Sequence, residues 1–158
     1  MRKRIIGQDQ STNRHEPAVE WLDLSQLAEV EITSEDVHHP IEFALRVDNE
    51  SGWKAETPGE QTIRLLFDHP LSVSRLHLLF KDDEHARTQE FVLRWAQSHD
   101  GPTQEIVRQQ FNFSPTGQTR ELESYNVDLD SLMMLELTIK PDISGTSVRA
   151  SLEQLYLA

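Results

Sequence analysis

The chain has 158 residues, of which 37% are hydrophobic and 27% are charged, and it carries a net charge of −12 and no cysteine. This length and composition fit one soluble globular domain with an ordinary core. The negative charge argues against binding to nucleic acid or anionic membranes, because such binding needs a basic face. The lack of cysteine excludes disulfides, thiolate catalysis and cysteine-type zinc sites, and it fits a reducing compartment.

The first residues, 1–17, are polar and show no sustained period, so we expect a loosely held N-terminal arm followed by a single domain over 18–158. The start of the arm is basic, as in a signal peptide. Only Ile5 and Ile6 follow before polar residues return, so the apolar part of a signal is missing. No apolar run approaches the roughly 18 residues of a membrane span. These features predict a cytoplasmic protein.

Short elements follow the arm. Residues 21–27 have a helix-like pattern, and 28–33 have the pattern of a strand. Pro40 is suited to the first turn of a short helix that directs Phe43 and Leu45 inward. We therefore expect one strand and a small amount of helix before the main body of the domain.

From Gln61 onward, polar and apolar residues alternate in runs typical of β-strands. The runs are TIRLLFD, SVSRLHLLFK, TQEFVLRWAQS, QEIVRQQFNF, ELESYNVDL, SLMMLELTIKP and SVRASLEQLYLA. Turn signals occur at Pro58-Gly59, His69-Pro70, 100–102, 115–117 and 141–145. The phase slips by one residue between Leu152 and Leu155, which predicts a bulge. Short strands without a long amphipathic helix predict an all-β fold, an antiparallel β-sandwich or jelly roll.

Several of these segments resemble the discoidin domain, which is also called the coagulation factor 5/8 type C domain. GWKAETPGEQTIRLLFDHPLSVSRLHLLF resembles its first half, SHDG resembles its Ser-x-Asp-Gly turn, and LELTIKPD with VRASLEQLYL resembles its closing strands. EVEITSEDVHHPIEFAL resembles its entry strand and short helical turn. The similarity runs from about Ala28 to Leu157. It implies a galactose-binding-domain-like sandwich that acts as a non-catalytic binding module, for carbohydrate in many bacterial members and for protein or lipid surfaces in others.

The loop ALRVDNESGW departs from the pattern of the carbohydrate-binding relatives, in which the matching loop holds a structural calcium with help from a Glu of the last strand. Arg46 stands at the position of the ligand Asp, Val47 at that of a Gly, and Ser51 at that of a Thr. A guanidinium opposes a cation that needs six to eight oxygen ligands. We therefore expect no metal, with Arg46 paired to Glu153 in its place. Two alternatives stay open: Arg46 directed to water, and a calcium site centred on Asp48.

No residue pattern favours catalysis, a metal or a cofactor. The adjacent histidines His38 and His39 diverge on a strand or turn, and the seven histidines include no His-x-x-x-His pair. The consecutive residues 98–100 contain Ser, His and Asp but cannot converge as a triad. The acidic residues 82–84 have the composition of a solvated loop. We expect a protein that is not an enzyme and has no cofactor.

The remaining candidate is a ligand site in loops at one end of the sandwich. The predicted ligand-binding residues are Arg87, His85, Glu84, Trp53, Asn49 and Asn112. Arg87 offers a planar fork of donors that suits vicinal hydroxyls or a carboxylate. It could equally be a salt-bridge partner of Glu90 or Asp83. Tryptophan at the start of such a strand more often fills the core, which is the favoured alternative for Trp53. Trp95, on an alternating strand face, is expected in the core.

These residues predict a module that binds a carbohydrate or another small polar ligand. The alternative is an interaction module that docks a protein partner through its loops or its acidic surface. Exposed aromatic residues in the loops would favour sugar, and residues 82–88 contain none.

Overall fold

The computed structural model describes residues 19–48 and 51–158. The predicted arm at 1–17 and Asn49 lie outside these residues. Within them the chain forms two short helices and eight strands: α1 (Leu24–Leu27), β1 (Ala28–Ile32), α2 (Glu42–Leu45), β2 (Trp53–Pro58), β3 (Gln61–Lys81), β4 (Arg87–Ala96), β5 (Gln104–Phe113), β6 (Arg120–Lys140), β7 (Arg149–Leu152) and β8 (Gln154–Leu157). Among the described residues no helix has the length and apolar character needed to cross a bilayer.

Two long strands organise the sandwich. β3 and β6 each have 21 residues and pair antiparallel along most of their length. Before its central irregularity β3 pairs with β1, and after it with β8. The later part of β6 pairs with β4, which is followed by the edge strand β5. β2 and β7 form a separate antiparallel pair. The predicted all-β antiparallel sandwich is confirmed.

The turn predicted at His69-Pro70 is wrong, because β3 runs through both residues. The register against β6 shifts on both sides of Leu71. A strand tolerates the missing N–H of a proline at such a bulge, so the chain bends here without ending the strand. β6 likewise joins two predicted strands through Ser131, whose φ is +58°. Local bends, not turns, connect these halves.

The predicted slip near the C-terminus is confirmed. Glu153 separates β7 from β8, and the two strands pair with different partners, β2 and β3. The backbone N–H of Glu153 donates to the carbonyl of Leu79 at 2.8 Å, which holds the break against β3. This bulge brings Glu153 beside Gly52, the residue that precedes β2.

The core consists of the inward-facing side chains of these strands. It includes the fully buried aromatic rings of Phe67, Phe80 and Phe91. Trp53 also belongs to it: its side chain is buried, and its indole N–H donates to the carbonyl of Ser34 at 3.1 Å. The alternative interpretation of Trp53 as a core residue is therefore correct.

Candidate functional site

A polar cavity of about 390 Å³ opens where β3 leads into β4. Three chain segments enclose it: residues 81–87, residues 52–54 at the start of β2, and residues 147–153 around β7. We call it the loop-end cavity. Its volume is within the range of small-ligand sites. The predicted residues that line it are Arg87, His85, Glu84 and Trp53.

Asn112 does not line this cavity, contrary to prediction. It pairs with Thr88 across β5 and β4, and its side-chain oxygen accepts a hydrogen bond from the Thr88 hydroxyl at 2.6 Å. Because neighbouring side chains on a strand point to opposite faces, Thr88 and Asn112 lie on the face opposite to Arg87. Asn49 lies outside the described residues.

Asp82 organises the loop between β3 and β4. Its carboxylate accepts hydrogen bonds from the backbone N–H groups of Glu84 and His85, at 2.8 and 3.1 Å, and from Arg87 Nε at 2.6 Å. The His85 ring nitrogen lies 3.1 Å from the same carboxylate. Burial acts to raise the pKa of Asp82, but the hydrogen bonds from Arg87 and Glu84 outweigh it and hold the pKa below its usual value. Asp83 and Glu84 are exposed, as predicted for a solvated acidic loop, whereas Asp82 is largely buried and holds the loop together.

Arg87 forms an interior wall of the cavity. Its side chain is 1% exposed. Besides Asp82, it donates from Nη1 to Gln89 Oε1 at 3.1 Å and to the Pro141 carbonyl at 2.6 Å. Its guanidinium carbon stands 4.4 Å from the centroid of the Phe113 ring, a cation–π contact. Nη2 alone has no hydrogen-bond partner among the described residues.

The structure changes the predicted roles of Arg87 and Trp53. Arg87 does form an ion pair, but its partner is Asp82 and not Glu90 or Asp83, because the loop turns back onto its own first residue. Trp53 borders the cavity yet is 1% exposed, so it offers no face on which a sugar ring could stack.

Sequence reasoning missed several accessible residues of the cavity. The cationic ones are Lys54, Lys81 and Arg149, and they stand with His39 and the carboxylate of Glu153. Neither lysine forms an ion pair with a described residue, whereas Arg149 pairs with Asp36. Lys81 was recognisable as the last residue before the acidic loop. Arg149 and Lys54 gave no local signal, since only the pairing of β2 with β7 brings them here.

Gly52 makes the floor of the cavity possible. A Cβ at this position would lie 2.5 Å from the carbonyl oxygen of Leu152 and 2.7 Å from the Cα of Glu153. Only glycine permits this approach of two backbone segments.

The predicted ion pair between Arg46 and Glu153 is wrong. Arg46 is exposed and lines a different cavity, of about 420 Å³, beside α1 and β1. The loop is nevertheless tied to the last strand, because the hydroxyl of Tyr156 donates to the backbone carbonyl of Arg46 at 3.2 Å. The expected connection thus uses the backbone of Arg46, and its side chain points to solvent. The described residues contain no group of three potential metal-ligating side chains, and the loop around Asp48 is described only in part.

A chain of buried polar groups extends inward from Arg87. Gln89 donates from Nε2 to Glu121 Oε1 at 3.1 Å, and Glu121 Oε2 has no hydrogen-bond partner among the described residues. Burial, followed by the adjacent carboxylate of Glu123, raises the pKa of Glu121 to about 8. Glu121 is therefore mainly protonated at neutral pH. The sequence carried a partial signal for this chain, since Arg87 and Gln89 share the inward phase of Phe91.

No protein-family model and no curated protein matches the chain. Solved structures do. The family 32 carbohydrate-binding module of Clostridium perfringens NanJ, in complex with galactose, matches with a TM-score of 0.64 and 12% identity over 87% of this chain and 96% of that one. A family 32 module of Clostridium perfringens in complex with GalNAc-β-1,3-galactose matches with a TM-score of 0.63 and 15% identity over 87% and 99% of the two chains.

This chain has the fold of family 32 carbohydrate-binding modules. The family 32 module of AlyQ, in complex with 4,5-unsaturated mannuronic acid, matches with a TM-score of 0.63 and 17% identity over 89% of this chain and 98% of that one. The family 32 fold is a discoidin-like galactose-binding sandwich, so the resemblance seen in the sequence is confirmed at the level of fold. At these identities the family 32 likeness speaks for the fold alone.

Proposed function

We propose that this protein is a non-catalytic carbohydrate-binding module whose loop-end cavity holds a saccharide. The observation that carries the proposal is the cavity itself: about 390 Å³, at the loop end of the sandwich, and lined mainly by hydrogen-bonding side chains. Support also comes from similar structures that were solved with galactose, GalNAc-β-1,3-galactose and a mannuronic acid.

The cavity offers both partners that a sugar hydroxyl requires. Its accessible donors are Lys54 and Lys81, and its acceptors are Asp83, Glu84 and Glu153. A hydroxyl both donates and accepts, and hydrogen bonds with one charged partner are stronger than neutral ones. Because cations and carboxylates line the same cavity, their electrostatic potentials partly cancel, and the cavity does not favour a ligand of high charge. This pattern suits a hydroxyl-rich ring better than a phosphate or a peptide.

In this proposal the sugar is recognised through hydrogen bonds and does not stack on an aromatic ring. Trp53 is buried, so the described lining presents no exposed aromatic face. The loop is held by Asp82 and Arg87 before ligand arrives, which lowers the ordering cost of binding. One similar structure contains a family 32 module together with an alginate lyase domain. Attachment to an enzyme is thus compatible with a module that performs no chemistry.

The test is calorimetric titration with galactose, GalNAc-β-1,3-galactose, mannuronate oligomers and pectin fragments. Lys81→Ala removes an exposed donor that pairs with no described residue, so it should weaken binding about fivefold or more without changing stability. Lys140→Ala, at an exposed lysine outside the cavity, is the matched control and should bind like the wild type. No heat of binding with any of these sugars, or equal weakening in both variants, would overturn the proposal.

The alternative function is docking of a protein partner through the same loops or the acidic surface. The buried position of Trp53 favours it, since aromatic residues are common in sugar sites. On this alternative the sugars give no response, and a protein that co-purifies with the wild type is lost from Lys81→Ala but retained by Lys140→Ala.

A further inference from the structure

A second cavity, of about 520 Å³, lies where β4 leads into β5. It is lined by Trp95, Ala96, Gln97, Ser98, Pro102 and Gln104. We call it the far-end cavity. Arg87 begins β4 and Trp95 stands near its end, and a strand of 10 residues spans about 30 Å. The two cavities therefore lie at opposite ends of the sandwich.

Trp95 packs against the core, as expected, but its side chain is only half-buried. It shares the inward face of Phe91 and Leu93 and pairs with Leu135 on β6 and Gln104 on β5. At this end the core stops, so one part of the indole packs on it while another part borders the cavity. The indole N–H has no hydrogen-bond partner among the described residues.

The polar groups of this cavity are uncharged, and most of them have no side-chain hydrogen bond with a described residue. Gln104 and Ser98 form no side-chain hydrogen bond with any described residue. Gln97 donates from Nε2 to the Asp130 carbonyl at 3.1 Å, which fixes its amide while Oε1 keeps no partner among the same residues. None of the described lining residues carries a charge. The far-end cavity therefore differs in kind from the loop-end cavity.

The loop between β4 and β5, which borders the cavity, is held by a contact with β3 and by close packing within the loop. The His99 ring nitrogen Nε2 lies 2.7 Å from the carbonyl oxygen of Phe67. A Cβ on Gly101 would come within 2.0 Å of the Ser98 hydroxyl, so the turn is closed tightly on Ser98. The register of β4 against β5 also shifts between Leu93 and Arg94, as at bulges that aim a side chain. Little ordering is needed before a ligand binds.

We propose that the far-end cavity is a second saccharide subsite, one that takes an uncharged sugar. An indole surface suits the C–H face of a sugar ring, and amide groups beside it suit the ring hydroxyls. Trp95 supplies the indole surface, and Gln97 and Gln104 supply the amide groups. A carboxylate-bearing sugar is disfavoured, because the described lining residues include no cation that could compensate the desolvation of its carboxylate. The subsite shares no described lining residue with the loop-end cavity, and two sites about 30 Å apart let one module engage two separate sugar units.

The test uses protein labelled with 5-fluorotryptophan, whose three tryptophan signals are assigned through single Trp→Phe variants. The probes are methyl β-galactoside, GalNAc-β-1,3-galactose, and neutral gluco- and manno-oligosaccharides. At least one should shift the Trp95 signal saturably. Gln104→Ala should weaken that response about fivefold or more, whereas Gln110→Ala, at an exposed glutamine on the same strand outside the cavity, should leave it unchanged.

The outcomes separate the two cavities. Lys81→Ala should leave the Trp95 response intact, so this proposal survives even if the loop-end cavity binds no sugar. The proposal is overturned if no neutral probe shifts the Trp95 signal saturably, or if Gln104→Ala and Gln110→Ala respond alike. A stronger Trp95 response to galacturonate than to galactose would overturn the assignment to uncharged sugars.

Discussion

Arg87 and Asp82 form an ion pair at the junction of β3 and β4, with Nε 2.6 Å from Oδ2 and side-chain exposures of 1% and 9%. The same carboxylate holds the backbone of the intervening loop through Glu84 and His85. The pair thus belongs to the framework of the loop-end cavity. Its main effect is on the shape of the loop, since desolvation offsets much of the attraction in a buried pair.

Arg87→Ala should lower the free energy of unfolding by about 3–5 kcal/mol, because it leaves Asp82 shielded from water and without its partner. Urea unfolding measures this loss. Arg108→Ala is the matched control: its side chain is 44% exposed and pairs with Glu105 and Glu90 at the surface. It should cost at most about 1 kcal/mol. Similar losses in the two variants would contradict a framework role for Arg87.

Gly52→Ala should distort the floor of the loop-end cavity, because the new methyl group would lie 2.5 Å from the Leu152 carbonyl oxygen. The backbones must separate, at a cost of about 1–3 kcal/mol. Gly117→Ala, where a Cβ meets nothing within 4 Å, should be nearly neutral. Thermal unfolding of both variants checks the difference. Equal melting temperatures would show that β2 and β7 do not need this close approach.

The strands were predictable because alternation records which side of a sheet meets the core. Phe91 and Leu93 follow it and are buried. The turn signal at His69-Pro70 failed because a long strand can bend across a bulge, and the residues that hold the bend belong to β6. A local pattern contains no information about a partner strand distant in sequence.

The candidate site was predictable only as a region. Glu84, His85 and Arg87 are close in sequence, so one loop brings them together, but the burial of Arg87 depends on Pro141 and Phe113. Alternation did place Arg87 in the inward phase, against the usual preference of arginine for the surface. The presence of β7 residues in the loop-end cavity and the partial exposure of Trp95 depend on tertiary packing alone.

Trp53→Phe should destabilise the fold while leaving sugar binding unchanged. The substitution removes the indole N–H that donates to the Ser34 carbonyl and leaves that acceptor unpaired, at a cost of about 1–3 kcal/mol. Urea unfolding measures the loss, and calorimetry of the folded variant measures binding. Affinity that fell far more than stability would restore Trp53 as a ligand contact.

Glu121→Gln should change the pH dependence of stability. Glu121 ionises near 4.5 in an unfolded chain and at about 8 in the folded protein. Between these pH values the unfolded state has released a proton that the folded state retains. The contribution of Glu121 to stability therefore falls as pH rises from about 4.5 to about 8, and is constant outside this window. Glutamine cannot ionise, so the variant escapes this loss.

Urea unfolding of Glu121→Gln and wild type at pH 4.5 and pH 8.5 isolates the effect of this carboxyl from the other charges of the protein. The variant should gain up to about 5 kcal/mol relative to wild type between the two pH values, because the folded and unfolded pKa values differ by about 3.5 and one pKa unit corresponds to about 1.4 kcal/mol. Glu29→Gln, at an exposed position on β1, should shift by less than about 0.5 kcal/mol. If the stability of both variants changes with pH as that of wild type does, Glu121 is already ionised in the folded protein. In that case Gln89 and Arg87 stabilise its charge enough to offset the burial of its carboxyl.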